Sequence, residues 1–380
     1  MKYFIIAGEA SGDLHASALI KHLKEKDSEA QVQFFGGDQM VAAAGVQPVV
    51  HYRDMAYMGF VEVIKHLREI LGILDRAKNF IKEWNPDVVI LVDYPSFNLK
   101  VAKFAHERGM KVFYYISPKL WAWKPYRIKQ IRKYVDYVYG ILPFEPAYYK
   151  SRGYEMTYVG NPTMKEIEEL APTFKTKSEL SAEFGLDGGR EWVALVPGSR
   201  KAEIRDNLPI MLRAAKGIDC ELVITGAPNI AQEIYDEVLA AENATGLKVV
   251  RGETLSVVKA SKVALVTSGT ATLETALVGT PQVVCYRSIG TRLAYFLLSL
   301  LITAKFASLP NLIADEEIIP ELLMHKCNEK SVREWLLKLL ADGDDRKRML
   351  AGYERVKAAL GDKDGAAEAA RLITQELKKS

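Results

Sequence analysis

Three cysteines in 380 residues, Cys220, Cys285 and Cys327, are too few and too far apart for a disulfide framework or a cysteine-rich zinc site. Charge of one sign is missing too: 51 Lys and Arg stand against 48 Asp and Glu, a formal net charge of +3. That balance lacks the clustered basic excess that grips a nucleic-acid backbone, so no nucleic-acid partner is expected. Apolar runs are short. The longest, LAYFLLSLLI at Leu293–Ile302, is about half the length of a membrane-spanning helix. The opening MKYFIIAGEASGD passes from a brief apolar stretch straight into a turn, the pattern of a strand rather than of a cleavable leader. GxGxxG, GxSxG, CxxC and Walker sequences are absent, and the six histidines form no HxxxH pair. Asp-x-Asp occurs only at 342–344 and 362–364, in a helical tail where loop roles are expected, so neither a metal site nor a cofactor is foreseen.

What is present, 49% hydrophobic and 26% charged residues, describes a globular chain. Short apolar runs alternate with helix-sized segments. Strands are expected at Tyr3–Ala7, Gln33–Gly36, Val88–Val92, Val112–Ile116 and Tyr137–Leu142. A second series follows at Val193–Val196, Leu222–Thr225, Lys248–Val250, Val263–Val266 and Gln282–Tyr286. Continuous apolar strands between amphipathic helices predict parallel sheets covered on both faces, an α/β chain of two doubly wound Rossmann-like domains facing across a cleft. The domains are expected at 1–165 and 166–330, with a helical segment at 331–380 that bridges or crosses between them. Ligands in such folds bind beyond the carboxyl ends of the strands, where helix N-termini point, so the loops after the strands are the places to search.

The first such loop is Gly8-Glu9-Ala10-Ser11-Gly12-Asp13, with His15 close behind. Its small residues permit a tight turn, and a helix starting near Ser11 offers free N–H groups. A plain strand-to-helix turn is the alternative. Asp93 ends the strand Val88–Val92, where a partly desolvated carboxylate gains the pKa of a working base; the alternative is a cap ahead of Pro95. Ser117, Trp121 and Trp123 follow the next strand, and the tryptophans suit either sugar stacking or an acyl channel, or else core packing. Lys124, Arg127, Lys129, Arg132 and Lys133 form a basic cluster suited to a phosphate or an anionic surface, unless it is simply a solvated face. In the second domain Gly198, Ser199 and Arg200 occupy the first-turn position, and Arg200 adds a fork suited to phosphate oxygens. Ser268, Gly269 and Thr270 begin another helix built for a diphosphate, with Glu274 one turn in, able to take a ribose diol; simple capping is the alternative.

Taken together, GEASGD at 8–13, DYPSFN at 93–98, YISPKLWAW at 115–123, LPFE at 142–145, PGSR at 197–200, TSGTATLE at 267–274 and SLPNL at 308–312 resemble the lipid-A-disaccharide synthase family, in that family's order and over most of the chain. The resemblance implies a GT-B glycosyltransferase, inverting and metal-independent. It would transfer 2,3-diacylglucosamine from UDP-2,3-diacylglucosamine to 2,3-diacylglucosamine 1-phosphate, forming a β-1,6 link and releasing UDP. Asp93 is the expected base, with Asp13, His15 and Glu9 in reserve. Gly198, Ser199, Arg200, Ser268, Gly269, Thr270 and Glu274 are expected on UDP. Ser11, Gly12, Asn98, Ser117, Trp121, Trp123 and Asn311 are expected around the acceptor and the cleft. Two positions depart from the family's pattern: Ser96 stands where it has an acid in DxPDFN, and Asn161 where it has histidine in VGHP.

Diacyl substrates raise the question of a membrane surface. In FVEVIKHLREILGIL, Phe60, Val63, Ile64, Leu67, Leu71 and Leu74 fall on one helical stripe flanked by Lys65, His66 and Arg68. Phe60, Ile64, Leu67 and Leu71 are therefore expected to face the membrane, placing the enzyme in the cytoplasm and peripherally on the inner face of the inner membrane; a helix buried on both sides is the alternative. The tail is expected to cross between domains, within one chain or between the two copies of a homodimer. Three other functions fit parts of the pattern. A GT-B UDP-sugar epimerase or hydrolase would need no lipid acceptor, a dehydrogenase would be expected to carry GxGxxG, and a non-enzymatic binder would not need the cleft carboxylate.

Overall fold

A computed structural model describes residues 1–55, 66–267, 269–287 and 304–379. The chain divides into two compact units, Met1–Pro162 with Asp362–Ser380, and Thr163–Gly361.

In the first unit seven parallel strands, β1 (Lys2–Ala7), β2 (Gln31–Gly36), β3 (Val50–His51), β4 (Val88–Val92), β5 (Lys111–Tyr115), β6 (Tyr137–Gly140) and β7 (Thr157–Tyr158), are ordered 3-2-1-4-5-6-7. In the second unit β8 (Trp192–Val196), β9 (Glu221–Gly226), β10 (Lys248–Arg251), β11 (Val263–Val266), β12 (Gln282–Tyr286) and β13 (Glu321–Leu323) are ordered 10-9-8-11-12-13, again all parallel. All ten expected strands are present within two residues at each end. The three additional strands, β3, β7 and β13, are two or three residues long and lie at sheet edges, too short to carry a hydrophobic period.

Each sheet is doubly wound for one reason: its strands are apolar on both faces. In β1, Phe4 and Ile6 enter one core layer while Tyr3, Ile5 and Ala7 enter the other. The Phe4 side is covered by helices Leu67–Trp84, Pro95–His106 and Ile128–Tyr134, through residues such as Leu74, Ile81, Val101 and Ile131. The Tyr3 side is covered by helix Ala10–Lys26 and by the terminal helix Gly365–Lys378, where Leu19 and Leu23 join Ala369 and Ile373. The sheets reverse their winding between β1 and β4 and between β8 and β11, and neighbouring strands end in register, Ala7 with Val92 and Val196 with Val266. A crevice opens beyond the strand ends at such a reversal. The loops carrying Glu9, Asp93, Arg200 and Gly269 follow these four strands.

The tail is helical at Glu329–Leu340, Asp344–Leu360 and Gly365–Lys378; the first two belong to the second unit and the last to the first. Asp364 caps that last helix, accepting from the N–H groups of Ala366 and Ala367 at 3.0 Å each. Gly160 turns the chain at φ +112, and a Cβ there would fall on the Lys363 carbonyl. Gly160→Ala should therefore cost about 2 kcal/mol or more, through left-handed strain and backbone overlap. Chemical denaturation would measure this, and limited proteolysis should release the terminal helix first.

Candidate active site

At the end of β4 the chain makes an uncommon corner. Asp93 and Tyr94 are consecutive left-handed residues, at φ +45 and +46. The Asp93 carbonyl accepts from the Tyr114 hydroxyl at 2.5 Å and from Asn98 Nδ2 at 2.7 Å. The Tyr94 hydroxyl donates to the Met55 carbonyl at 2.8 Å, and its ring occupies the place where a Gly8 Cβ would stand. Gly8 is therefore required by close approach, which is why the GEASGD and DYPSFN loops fit together.

The corner turns the Asp93 carboxyl toward Glu9. Burial first, then the charge of Glu9, raise its pKa from 3.8 to about 6; Lys119 and the Tyr94 N–H pull the other way, and a hydrogen bond to Glu9 adds to the rise. Glu9 also accepts from Ser11 Oγ at 3.2 Å. His15, by contrast, is lowered by burial to about 4, which leaves its imidazole neutral and weakly basic near pH 7.

Asp13 has a different role from the one expected. Its Oδ1 accepts from the N–H groups of Gly37 (2.7 Å) and Met40 (3.1 Å), and its Oδ2 from Gln39 (3.0 Å). It holds the first turn of helix Asp38–Ala44, and three backbone donors commit it to that structural task. Two asparagines are corrected likewise. Asn98 is fully buried, its Nδ2 donating to main-chain carbonyls of the corner while its Oδ1 has no partner among the described residues. Asn311 is fully buried with all four hydrogen-bonding positions used: Oδ1 accepts from Ile318 and Ile319, and Nδ2 donates to the Ile319 carbonyl and to Glu321. Neither side chain is left to line a cleft.

Ser117 and Trp121 converge on Glu145, at 2.9 Å and 3.3 Å. Trp121 is nearly buried, packing edge-on against Phe144 at 5.2 Å, so its ring is part of the loop's own core and not a sugar platform. Trp123 is half-buried with Lys124 beside its ring, and Gly12 is buried under the first turn. The departing residues are accommodated locally: Ser96 Oγ accepts from Arg127 Nη2 at 2.7 Å, and Asn161 Nδ2 donates to the Ile141 carbonyl at 2.9 Å.

In the second unit Gly198 adopts φ +117, and a Cβ there would strike the Glu203 carboxylate. Glu203 accepts from the Ser199 N–H at 3.0 Å and from Arg200 Nη1 at 2.6 Å. Arg200 is otherwise mostly exposed, and among the described residues no other partner takes its remaining four guanidinium N–H donors. Gly269 (φ +140) opens helix Thr270–Val278, and its carbonyl accepts from Thr272 Oγ1. Beside it Thr267 Oγ1 is buried with no partner among the described residues. Glu274 is raised by burial, and its charge helps to raise Glu166. Ser268, Phe60 and Ile64 lie outside the described residues, as does the side chain of Leu67. Leu71 is 43% exposed, whereas Leu74, on the same expected stripe, is buried in the core.

Lys119, Glu145 and Glu203 stood inside or beside the recognised motifs without an assigned role. The available signal was an acid following Leu-Pro-Phe at a strand end, but its partners lie more than twenty residues away in sequence.

Solved structures of the same fold include a UDP-GlcNAc 2-epimerase from Neisseria meningitidis bound to UDP-GlcNAc, with a TM-score of 0.66 at 14% identity and all of both chains covered. The calicheamicin glycosyltransferase CalG4 is similar at TM-score 0.60 and 14% identity, covering 99% of this chain and 98% of that one. The two parallel sheets therefore make the GT-B plan shared by glycosyltransferases and these epimerases. The family model described as lipid-A-disaccharide synthetase matches residues 3–375. The lipid-A-disaccharide synthase of Acidobacterium capsulatum is 38% identical over 94% of this chain and 91% of its own, and that of Syntrophus aciditrophicus 36% over 99% and 98%. This chain belongs to the lipid-A-disaccharide synthase family. It is a glycosyltransferase of lipid A biosynthesis, with a sugar nucleotide as donor and a lipid as acceptor.

The raised Asp93 carboxyl has a consequence for stability. Its folded pKa exceeds its unfolded value, so the folded state binds more protons between the two and loses stability as pH rises from about 4 to about 6. Above that range the ionised carboxylate costs up to about 3 kcal/mol. Asp93→Asn should raise the unfolding free energy at pH 7.5 by about 1–3 kcal/mol, a gain that vanishes near pH 4, as urea titrations at the two pH values would report.

Proposed function

We propose that the enzyme transfers 2,3-diacylglucosamine from UDP-2,3-diacylglucosamine to the 6-hydroxyl of 2,3-diacylglucosamine 1-phosphate and releases UDP, with Asp93 as the general base. The observation that carries the base assignment is the desolvated Asp93 carboxyl at the winding reversal of the first sheet, raised to about 6. At that pKa it is about nine-tenths ionised at pH 7, yet more basic than an ordinary carboxylate. His15 near 4 is a poorer base, and Asp13 is engaged by three N–H groups. A positioned base contributes about 10²–10⁴-fold in such a transfer.

The leaving diphosphate gains charge as the glycosidic bond breaks. Fixed dipoles and cations suit it: the N-terminus of helix Thr270–Val278 and the Arg200 guanidinium are the donors assigned here, with Glu274 on the ribose. Glu203 neutralises Arg200 until a diphosphate competes for it. Among the described residues no group of three or more His, Cys, Asp or Glu is placed to hold a metal ion. Attack from the face opposite UDP inverts the anomeric centre.

Asp93→Ala should leave UDP affinity near normal and lower kcat by at least 10²-fold, whereas Arg200→Ala should weaken UDP binding. In the wild type kcat should fall about tenfold per pH unit below pH 6, because protonation removes the base. UDP release that requires the 1-phosphate acceptor and ignores EDTA is the expected assay result. Release without acceptor would mean a hydrolase, and an Asp93→Ala enzyme retaining most of its kcat would remove Asp93 as the base.

Acylated substrates favour an enzyme docked peripherally on the inner face of the inner membrane. Among the described residues no helix is long and apolar enough to cross a membrane. Exposed Leu71, at the start of helix Leu67–Trp84, supports docking by this segment, and the exposed cations Lys129, Arg132 and Lys133 suit anionic headgroups. Co-sedimentation with anionic vesicles should fall severalfold in Leu67→Ser plus Leu71→Ser; unchanged sedimentation would sink this docking mode.

A further inference from the structure

The turn after β8 already holds an oxyanion, supplied by the protein's own chain. Gly198, at φ +117, lies directly against Glu203: a Cβ on that glycine would stand 2.6 Å from Glu203 Oε2. The same Oε2 accepts from the Ser199 N–H at 3.0 Å, and Oε1 accepts from Arg200 Nη1 at 2.6 Å. A main-chain N–H at a glycine turn and a guanidinium are the donors that bind phosphate oxygens elsewhere in proteins. Glu203 is the third residue of helix Lys201–Ala215, and Arg200 is that helix's N-cap. An acid at this place ordinarily reaches back to the N-cap N–H. Glu203 instead reaches one residue further, to Ser199, and takes the side chain of the N-cap residue as well. The two partners differ in access, the carboxylate side chain being 14% exposed and the guanidinium side chain 68%.

We propose that Glu203 is a stand-in for the diphosphate, resting on the reading of this turn as part of the UDP site. Before the nucleotide binds, the Glu203 carboxylate holds the Ser199 N–H and the Arg200 guanidinium. The diphosphate takes those donors from it, and the return of the carboxylate speeds the departure of UDP. The competition acts unequally on substrate and product. In the sugar nucleotide both phosphates are esterified or bridged, whereas UDP ends in a phosphate that loses a second proton near pH 6, by the rule for a terminal phosphate of about that pKa. Free UDP therefore carries the greater negative charge at neutral pH and is opposed more strongly by the neighbouring carboxylate. Glu203 thereby weakens the product more than the donor, which limits product inhibition at a turn otherwise well supplied with phosphate donors.

Titration calorimetry of the full-length enzyme with UDP at pH 7.5 tests this, with uridine measured by competition against UDP. Glu203→Gln keeps the side chain's shape and removes its charge. It should tighten UDP binding about three- to tenfold, the range expected for a largely exposed ion pair, and leave uridine unchanged. Stopped-flow release of UDP should slow by the same factor, and the donor KM should fall by a smaller one. In an Arg200→Ala background the same substitution should change UDP affinity by less than about twofold, because the contested cation is gone. If Glu203→Gln misfolds, Glu203→Asp, whose shorter side chain draws the carboxylate back from both donors, should tighten UDP binding by a smaller factor. Loss of a mere helix cap, or of a residue that orients Arg200, would leave UDP affinity unchanged or weaken it, and either result overturns the proposal. So does a tightening that persists at full size without Arg200. A wild-type enzyme that binds no UDP removes the donor reading itself, whereas wild-type binding with no tightening in Glu203→Gln removes only the stand-in.

Discussion

Everything at the carboxyl edge of the first sheet depends on the two left-handed residues that end β4. An aspartate and a tyrosine at positive φ cost on the order of 1–3 kcal/mol each, and they persist only because their surroundings over-determine them. The Asp93 carbonyl is held by Tyr114 and Asn98, the Tyr94 hydroxyl by Met55, and Pro95 starts the next helix at once. Relaxing that corner to an ordinary strand exit would pull the ring of Tyr94 away from Gly8 and turn the Asp93 carboxyl off Glu9. Backbone strain and side-chain chemistry are one arrangement here.

Three acids near that edge show how environment assigns roles to like charges. Asp13 meets three backbone N–H groups and serves as a remote helix cap. Asp93 meets a neighbouring carboxyl and few donors, so its carboxyl carries no structural task. Glu145 is more deeply buried than either, yet its hydrogen bonds make it a fixed anchor for a loop. Burial alone would predict the same behaviour for all three. The supply of N–H and O–H donors separates them.

The sheet order follows from apolar runs that alternate with helices, and such runs are readable one strand at a time. So are the loops at the winding reversals, because glycines and polar residues interrupt otherwise regular segments there. The partners of side chains are not readable in that way. Asp13 looks like an active-site acid until the N–H groups at 37, 39 and 40 are brought to it by the β1–β2 pairing. Asn98 and Asn311 sit in motif positions that suggest ligands, but a buried amide can equally satisfy main-chain groups. Trp121 suits a sugar platform by composition and becomes loop core because Glu145 accepts its N–H. The edge strands β3, β7 and β13 have no period to detect and exist because a neighbour offers them a register.

The terminal helix has a meaning for how the protein is made. Residues 362–380 complete the unit that residues 1–162 begin, so the second unit is, in chain order, an insertion within the first. On a ribosome adding about 5–20 residues per second, the roughly 200 intervening residues take about ten to forty seconds to appear. Throughout that interval helix Ala10–Lys26 lacks the cover of Ala369, Ala370 and Ile373. The second unit can finish folding while the first waits with an apolar face open. The apolar face of the N-terminal unit is therefore closed only once residues 362–380 have been made.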